Sequence, residues 1–184
     1  MTLMRPMGPY AELMLDPGGW PDVDEDHLYQ RSRELMEMHA QVCHVYETCL
    51  LLQLRIFEPS VWSGATADAA DGELQRWMRR IALLTRQLQE LYVWHEETAT
   101  ATLELKDQIY EMVSAAQYEI EGLETQPEGV ELIEELVIFT HEANVAMVEQ
   151  LGAQIGSGAV LFPECDLDGN VRLHPADVPS VPSA

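Results

Sequence analysis

The fold is decided by residues 74–123, which read LQRWMRRIALLTRQLQELYVWHEETATATLELKDQIYEMVSAAQYEIEGL. Apolar or tolerant side chains recur there at alternating steps of three and four residues, for about seven heptads. This period predicts one long helix over about 64–125, with a coiled-coil-like seam and a more polar patch at 95–102. The seam consists of Leu74, Trp77, Ile81, Leu84, Leu88, Leu91, His95, Thr98, Thr102, Leu105, Ile109, Met112, Ala116, Glu119 or Ile120, and Leu123.

Shorter helices are predicted on both sides of the long one. The same steps of three and four predict a first helix over about 24–57, which Pro59 stops. A third helix is predicted over about 128–155, after a capping box formed by Thr125 and Glu128.

The lengths of the three helices constrain the architecture, since they span roughly 51, 93 and 42 Å at 1.5 Å per residue. We therefore predict an all-α fold, an elongated antiparallel helical bundle in the form of a rod. The first helix packs against the first half of the second, and the third folds back over its distal half.

Two segments flank this helical rod domain, which covers residues 24–155. The N-terminal segment, 1–23, is rich in Pro and Gly, and its run from Leu15 to Pro21 is typical of turns. Residues 156–184 are predicted to form a tail and the start of a linker.

The tail contains a motif that resembles the first half of a calcium-binding loop, Glu164-x-Asp166-x-Asp168-Gly169. Pro175 occupies the position where such a loop requires a bidentate acid. We therefore expect an Asp168-Gly169 turn between two short strands rather than a calcium site.

The charge of the chain excludes several classes of partner. Ten basic residues stand against 32 acidic ones, for a net charge of −22. Nucleic acid and anionic membrane surfaces are therefore unfavourable partners. Fourteen carboxylates and no Lys or Arg lie between Lys106 and Arg172. This stretch is either a solvated surface that keeps the protein soluble or a docking surface for a basic partner.

The sequence contains no pattern typical of a membrane span or of a cleavable signal peptide. No apolar run reaches the length of a membrane span, and no basic and apolar N-terminal pattern indicates a cleavable signal peptide. We therefore expect synthesis in the cytoplasm and, if the protein is exported, a route that recognises a folded domain.

Catalytic and metal-binding patterns are also not found, so we expect no enzyme activity and no cofactor. A di-iron bundle needs Glu-x-x-His pairs, and no Glu is followed by a His three residues later. His39, Cys43 and Glu47 share one helix face, but this spacing is more typical of seam residues than of a zinc site. Cys43 and Cys49 are too far apart along their helix to form a disulfide.

A Trp-x-Gly motif, Trp62-Ser63-Gly64, lies between the first two predicted helices. Glycine allows the chain to reverse tightly there, and tryptophan covers the end of the seam. The simplest interpretation is a hydrophobic plug at the hairpin tip.

The motif also resembles the Trp-X-Gly hairpin of type VII secretion substrates and their associated proteins. The sequence is similar, from residue 5 to about 150, to the EspK-like family of mycobacterial secretion-associated proteins. The resembling residues are Arg5-Pro6, Tyr10-Ala11, Met14 to Trp20, Asp24-Glu25-Asp26, Trp62-Ser63-Gly64, Ala69-Ala70, Trp94-His95, Thr140-His141 and Ala143-Asn144-Val145.

The resemblance implies a helical N-terminal domain related to those of PPE and EspB proteins, followed in the family by a Pro-rich linker and a second domain. It implies an adaptor or chaperone that binds a secreted helical substrate of EspB type and works with the type VII secretion machinery. The alternative is that the protein is itself an exported, virulence-associated effector or an oligomerising substrate of the type VII system. The family's secretion signal, Tyr-x-x-x-Asp/Glu, is matched by Tyr92 and Glu96, a spacing that chance also produces.

Several aromatic side chains lie off the main seam and are candidates for contact with a partner. A surplus of apolar groups along a helix is how helical partners are bound. The candidates are Trp20, Trp94, Tyr110 and Tyr118.

Overall fold

The computed structural model describes residues 3–58, 61–159, 164–165 and 171–172, and it confirms the all-α fold class. Four helices are described: α1 (Ala11–Leu15), α2 (Glu25–Ile56), α3 (Ala65–Leu123) and α4 (Gly129–Ala159). Two strands of two residues each, β1 (Glu164–Cys165) and β2 (Val171–Arg172), pair antiparallel. The predicted Asp168-Gly169 turn lies outside the described residues. No helix in the described ranges is long and apolar enough to cross a membrane.

Local hydrogen bonds define where the long helices begin and end. The Asp24 carboxylate accepts the backbone N–H of His27 at 3.0 Å and so caps the start of α2. The Thr125 hydroxyl donates to the carbonyl of Gly122 at 2.9 Å, which satisfies an acceptor at the end of α3. The hydroxyl therefore serves the end of α3, and the capping of α4 that we predicted for it is wrong.

The described residues group into two compact units. Unit 1 is formed by the described part of Met1–Tyr29 together with His95–Ala159, and unit 2 by the described parts of Gln30–Trp94 and Val160–Ala184. The single hydrophobic core identified in the described chain lies in unit 1. Its buried members come from α1, the distal half of α3 and α4: Ala11, Met14, Leu15, Leu105, Ile109, Val113, Ala116, Ile120, Ile133, Val137 and Leu151.

In unit 1, α4 folds back antiparallel on the distal half of α3, since Leu105 lies near Leu151 while α4 starts only six residues after α3 ends. The helices pair through side chains at three- and four-residue spacing, as the sequence pattern predicts. The polar member Thr102 is fully buried and donates its hydroxyl to the Thr98 carbonyl at 2.8 Å. This hydrogen bond within α3 satisfies the hydroxyl, so a polar residue of the seam can be buried between the helices.

The N-terminal segment, which we predicted to be turns, contains the short helix α1. Met14 and Leu15 are fully buried against the core. The buried Asn144 of α4 donates to the Met14 carbonyl at 3.1 Å. A Cβ on Gly19 would lie 3.2 Å from that of Asn144, so the glycine allows the close approach. A helix of five residues has too few positions to show a period, and tertiary burial stabilises it.

A buried ion pair joins the start of α2 to α3. Lys106 Nζ lies 2.6 Å from a carboxylate oxygen of Glu25, and both side chains are almost completely buried. Lys106 also donates to the carbonyl of Val23 at 2.8 Å, and Glu25 accepts the backbone N–H of Leu3 at 3.2 Å. The Lys106 ammonium lies 5.7 Å from the centre of the Trp20 ring, within range of a cation–π interaction.

These contacts determine the protonation of Glu25. Burial alone would raise the pKa of its carboxyl group, because it disfavours the charged form. The hydrogen bond from Lys106, the backbone N–H donors and the Lys106 charge outweigh burial, so the net pKa of Glu25 is lower than its ordinary value of 4.5. The Glu25 carboxyl group is therefore ionised at neutral pH.

In unit 2, α2 packs antiparallel on the first part of α3. Near one end the Ser32 hydroxyl donates to the Tyr92 carbonyl at 3.0 Å, and near the other the Gln53 amide donates to Asp71 at 2.6 Å. The apolar side chains that are buried in the described part of this unit are few: Leu35, Ala67, Met78 and Leu88. Unit 2 is thus a two-helix hairpin with a narrow buried seam.

Replacing Lys106 by Met is expected to lower the free energy of unfolding by about 3–5 kcal/mol, because it leaves a buried carboxylate without its partner. Urea unfolding followed by circular dichroism measures this loss. Arg86→Met, which removes an exposed partner of Glu90, is the matched control and should change little. Equal losses in the two variants would contradict the assignment of a special role to the buried pair.

Glu25→Gln is expected to reduce the acid sensitivity of the protein. Since the folded-state pKa of Glu25 is below 4.5, the wild-type carboxylate stabilises the fold above that pH, and this stabilisation is lost as the pH falls through the folded-state pKa. The stability difference between wild type and variant should therefore shrink with falling pH. Urea midpoints measured across that range test this, and a difference that is constant with pH would refute it.

Candidate interaction surface

The Trp62–Gly64 motif forms the tip of the α2–α3 hairpin. The Trp62 ring stacks on Phe57, with ring centres 5.4 Å apart and planes inclined by 23°. The Gly64 carbonyl accepts the N–H of Asp68 at 3.0 Å and starts α3. Gly64 has a φ of +100°, a conformation that other residues avoid. The tryptophan covers the tip only in part, because it remains 38% exposed.

The last two turns of α2 are apolar around most of the helix circumference. Successive residues of a helix point about 100° apart, so Leu50, Leu51 and Leu52 cannot all face α3. Leu54, the most exposed of this group, is 73% exposed. We call this region the tip apolar surface, which consists of Leu50, Leu51, Leu52, Leu54, Ile56, Val61 and Trp62.

The tip apolar surface was not predicted from the sequence as a site. Its leucines lie in an apolar run, from Cys49 to Leu54, that is too short to span a membrane. The sequence nevertheless indicates such a surface, because adjacent leucines in a two-helix hairpin cannot all be buried by one partner helix.

The candidate secretion signal lies far along α3 from the tip. Tyr92 and Gly64 are separated by roughly 42 Å of helix. Tyr92 is half-buried in unit 2, where its ring meets His39 edge to face at 5.7 Å. Glu96 is exposed, and its carbonyl accepts the Thr100 hydroxyl at 2.9 Å. Within unit 2, the structure does not bring Tyr92 and the Trp-x-Gly motif together, and a signalling role for Tyr92 and Glu96 stays a prediction.

The four predicted partner-facing aromatics have different environments. Tyr110 and Tyr118 are exposed on α3, at 45% and 80%. Trp94 is half-buried. Trp20 is half-buried, and its ring packs against the core of unit 1 and lies beside Lys106. Part of the indole is therefore used within the chain, and a partner-facing role for these four aromatics stays a prediction.

The described fold and surface are those of an all-α protein that presents an exposed apolar hairpin tip, a class that commonly binds other proteins. Over 160 residues, 84% of the chain, it is 36% identical to the ESX-1 secretion-associated protein EspK of Mycobacterium tuberculosis (strain CDC 1551 / Oshkosh). This similarity supports the expectation of an EspK-like protein, and the association with secretion is that of the relative. No protein-family model matches the chain, and no solved structure matches it.

The match covers a limited part of that relative. The chain spans 22% of its length. The activity and partners of the whole relative are therefore not assigned to this chain by similarity alone.

Gly64→Ala is expected to destabilise the hairpin by about 1–2 kcal/mol, because alanine resists positive φ. Gly72→Ala is the matched variant: Gly72 lies within α3 with no atom near its would-be Cβ, and it should gain about 0.5–1 kcal/mol from higher helix propensity. Thermal unfolding of both variants gives the comparison. If both substitutions stabilise the protein, the turn does not depend on Gly64.

Proposed function

We propose that this protein is an adaptor or chaperone in type VII secretion, which binds a secreted helical substrate of EspB type and has no enzyme activity. The binding site that we propose is the tip apolar surface of the α2–α3 hairpin. The similarity to a secretion-associated protein supports the cellular context, and the exposed apolar side chains support the mode of binding.

The imbalance of burial in unit 2 is the observation that carries this proposal. Its described part buries few apolar side chains, whereas the tip apolar surface alone exposes leucine, isoleucine, valine and tryptophan together. Burying a leucine side chain stabilises a complex by roughly 1.5–3 kcal/mol. A helical substrate that packs against the tip would complete the core that two helices cannot form by themselves.

Export of the protein itself is the second candidate function. In that case the Trp62–Gly64 turn acts with Tyr92 and Glu96 as a signal, and the two parts meet across a partner molecule, because they lie far apart along α3. The appearance of the protein in culture filtrate, and its dependence on Trp62 and Tyr92, distinguishes export from a purely chaperoning role.

Calorimetric titration of the protein with a purified EspB-type substrate tests the chaperone proposal. Saturable binding with a Kd in the micromolar range or tighter is expected. Leu51→Glu and Trp62→Ala should each weaken it about tenfold or more, since both remove buried apolar contact from the complex. Leu13→Glu, an exposed apolar position of α1 in unit 1, is the matched control.

Two results would reject the proposal. The first is no heat and no co-elution of the two proteins. The second is binding that is equally strong in wild type, Leu51→Glu and Trp62→Ala.

A further inference from the structure

A second surface, in unit 1, has an apolar row that no described element covers. Leu132 and Phe139 of α4 are exposed, Phe139 at 68%. Leu132 and Gln150 lie about five full helical turns apart, so they point the same way, and Phe139 deviates from that direction by about 20°. Ala143 and Ala146 lie between Phe139 and Gln150 on this face. The apolar members of the row, from Leu132 to Ala146, extend over roughly 21 Å of helix.

At its C-terminal end the row reaches a groove between α3 and α4. This surface depression, of about 240 Å³, is lined by Ala101, Glu104, Leu105, Gln108, Met147, Gln150, Leu151 and Gln154. Gln150 thus belongs both to the exposed row and to the groove, which places Leu132 and Phe139 on the groove side of α4.

The N-terminal segment occupies a different side of α3. The Gln117 amide donates to the carbonyl of Pro9 at 3.0 Å. Gln117 lies about 180° around the helix from Gln108, which lines the groove. The segment therefore covers one side of the α3–α4 pair and leaves the groove side open.

The charges beside the row have one sign. Helix α4 contains five glutamates and no lysine or arginine. Glu135, Glu142 and Glu149 repeat every seven residues and form a line next to the apolar row. Across the groove, Glu104 of α3 lines the depression. The apolar row is thus bordered by carboxylates on both helices.

This arrangement determines the chemistry of the occupant. A second copy of the chain would bring the glutamates of one α4 against those of another, and like charges at an interface oppose association. A helix with apolar side chains on one face and lysine or arginine beside them would bury the row and pair with the glutamates. We propose that the α3–α4 groove of unit 1 binds a basic amphipathic helix, at a site separate from the tip apolar surface.

Titration with a designed peptide tests this inference. The probe is a synthetic helix of about twenty residues, long enough to cover the row, with leucines on one face and lysines beside them. We expect saturable binding with one peptide per chain, weakened by salt. Phe139→Glu should weaken it about tenfold or more, because it removes buried apolar contact and adds a charge. The Glu135→Lys, Glu142→Lys double variant should weaken it as well.

The controls separate this site from simple attraction between opposite charges and from the hairpin tip. A peptide of the same composition in scrambled order should bind at least tenfold more weakly, and Leu51→Glu should leave binding unchanged. All substituted positions are exposed, and circular dichroism verifies that the variants fold.

Equal binding of the scrambled peptide, unchanged binding by Phe139→Glu, or loss of binding in Leu51→Glu would each overturn the inference. Self-association of the protein that Phe139→Glu abolishes would also overturn it, because the occupant would then be a second copy. None of these results tests the binding of an EspB-type substrate at the tip apolar surface. The calorimetric titration with that substrate tests it separately.

Discussion

The ion pair between Glu25 and Lys106 is the interaction on which unit 1 depends. In a chain with 32 acidic residues against 10 basic ones, a buried carboxylate has few cations available to compensate it. The chain uses its single lysine for this purpose. Glu25 also accepts the backbone N–H of Leu3, while Lys106 donates to the carbonyl of Val23 and lies beside the Trp20 ring. One charge pair therefore ties the N-terminal segment and the start of α2 to α3.

The N-terminal segment explains why the two units differ in burial. In unit 1, α1 supplies a third layer whose Met14 and Leu15 are fully buried against α3 and α4. In unit 2, the described helical residues are those of the α2–α3 pair, and leucines such as Leu54 remain exposed. Two packed helices cannot bury an apolar surface that extends around one of them. The candidate binding surfaces are thus the places where the third layer is absent.

The sequence predicted the fold class well because the long helices repeat one local pattern many times. Seam positions such as Ile109, Val137 and Leu151 are recognisable by their spacing. Apolar residues three and four positions away support the same helix prediction. Helix α1 and the Glu25–Lys106 pair escaped prediction because they depend on contacts between distant parts of the chain. In the sequence, Glu25 looks like an ordinary acid in a first helical turn. The candidate site was predicted only in part, because the sequence placed Trp62 and Gly64 at the hairpin tip but did not identify the adjoining leucines. Trp20 is half-buried against the core of unit 1, a tertiary contact that the sequence pattern does not show.

The burial of Lys106 gives the protein a chemical reporter of its own. Amine-reactive reagents modify only accessible, uncharged amines, and the only lysine side chain in the sequence is enclosed by Glu25, Val23 and Trp20. Acylation at this position can therefore proceed only when unit 1 opens locally. Mass spectrometry would measure the rate of acylation at Lys106, and this rate would follow the local opening of unit 1. The described residues of unit 2 include no lysine, so opening of that unit would not contribute to the rate.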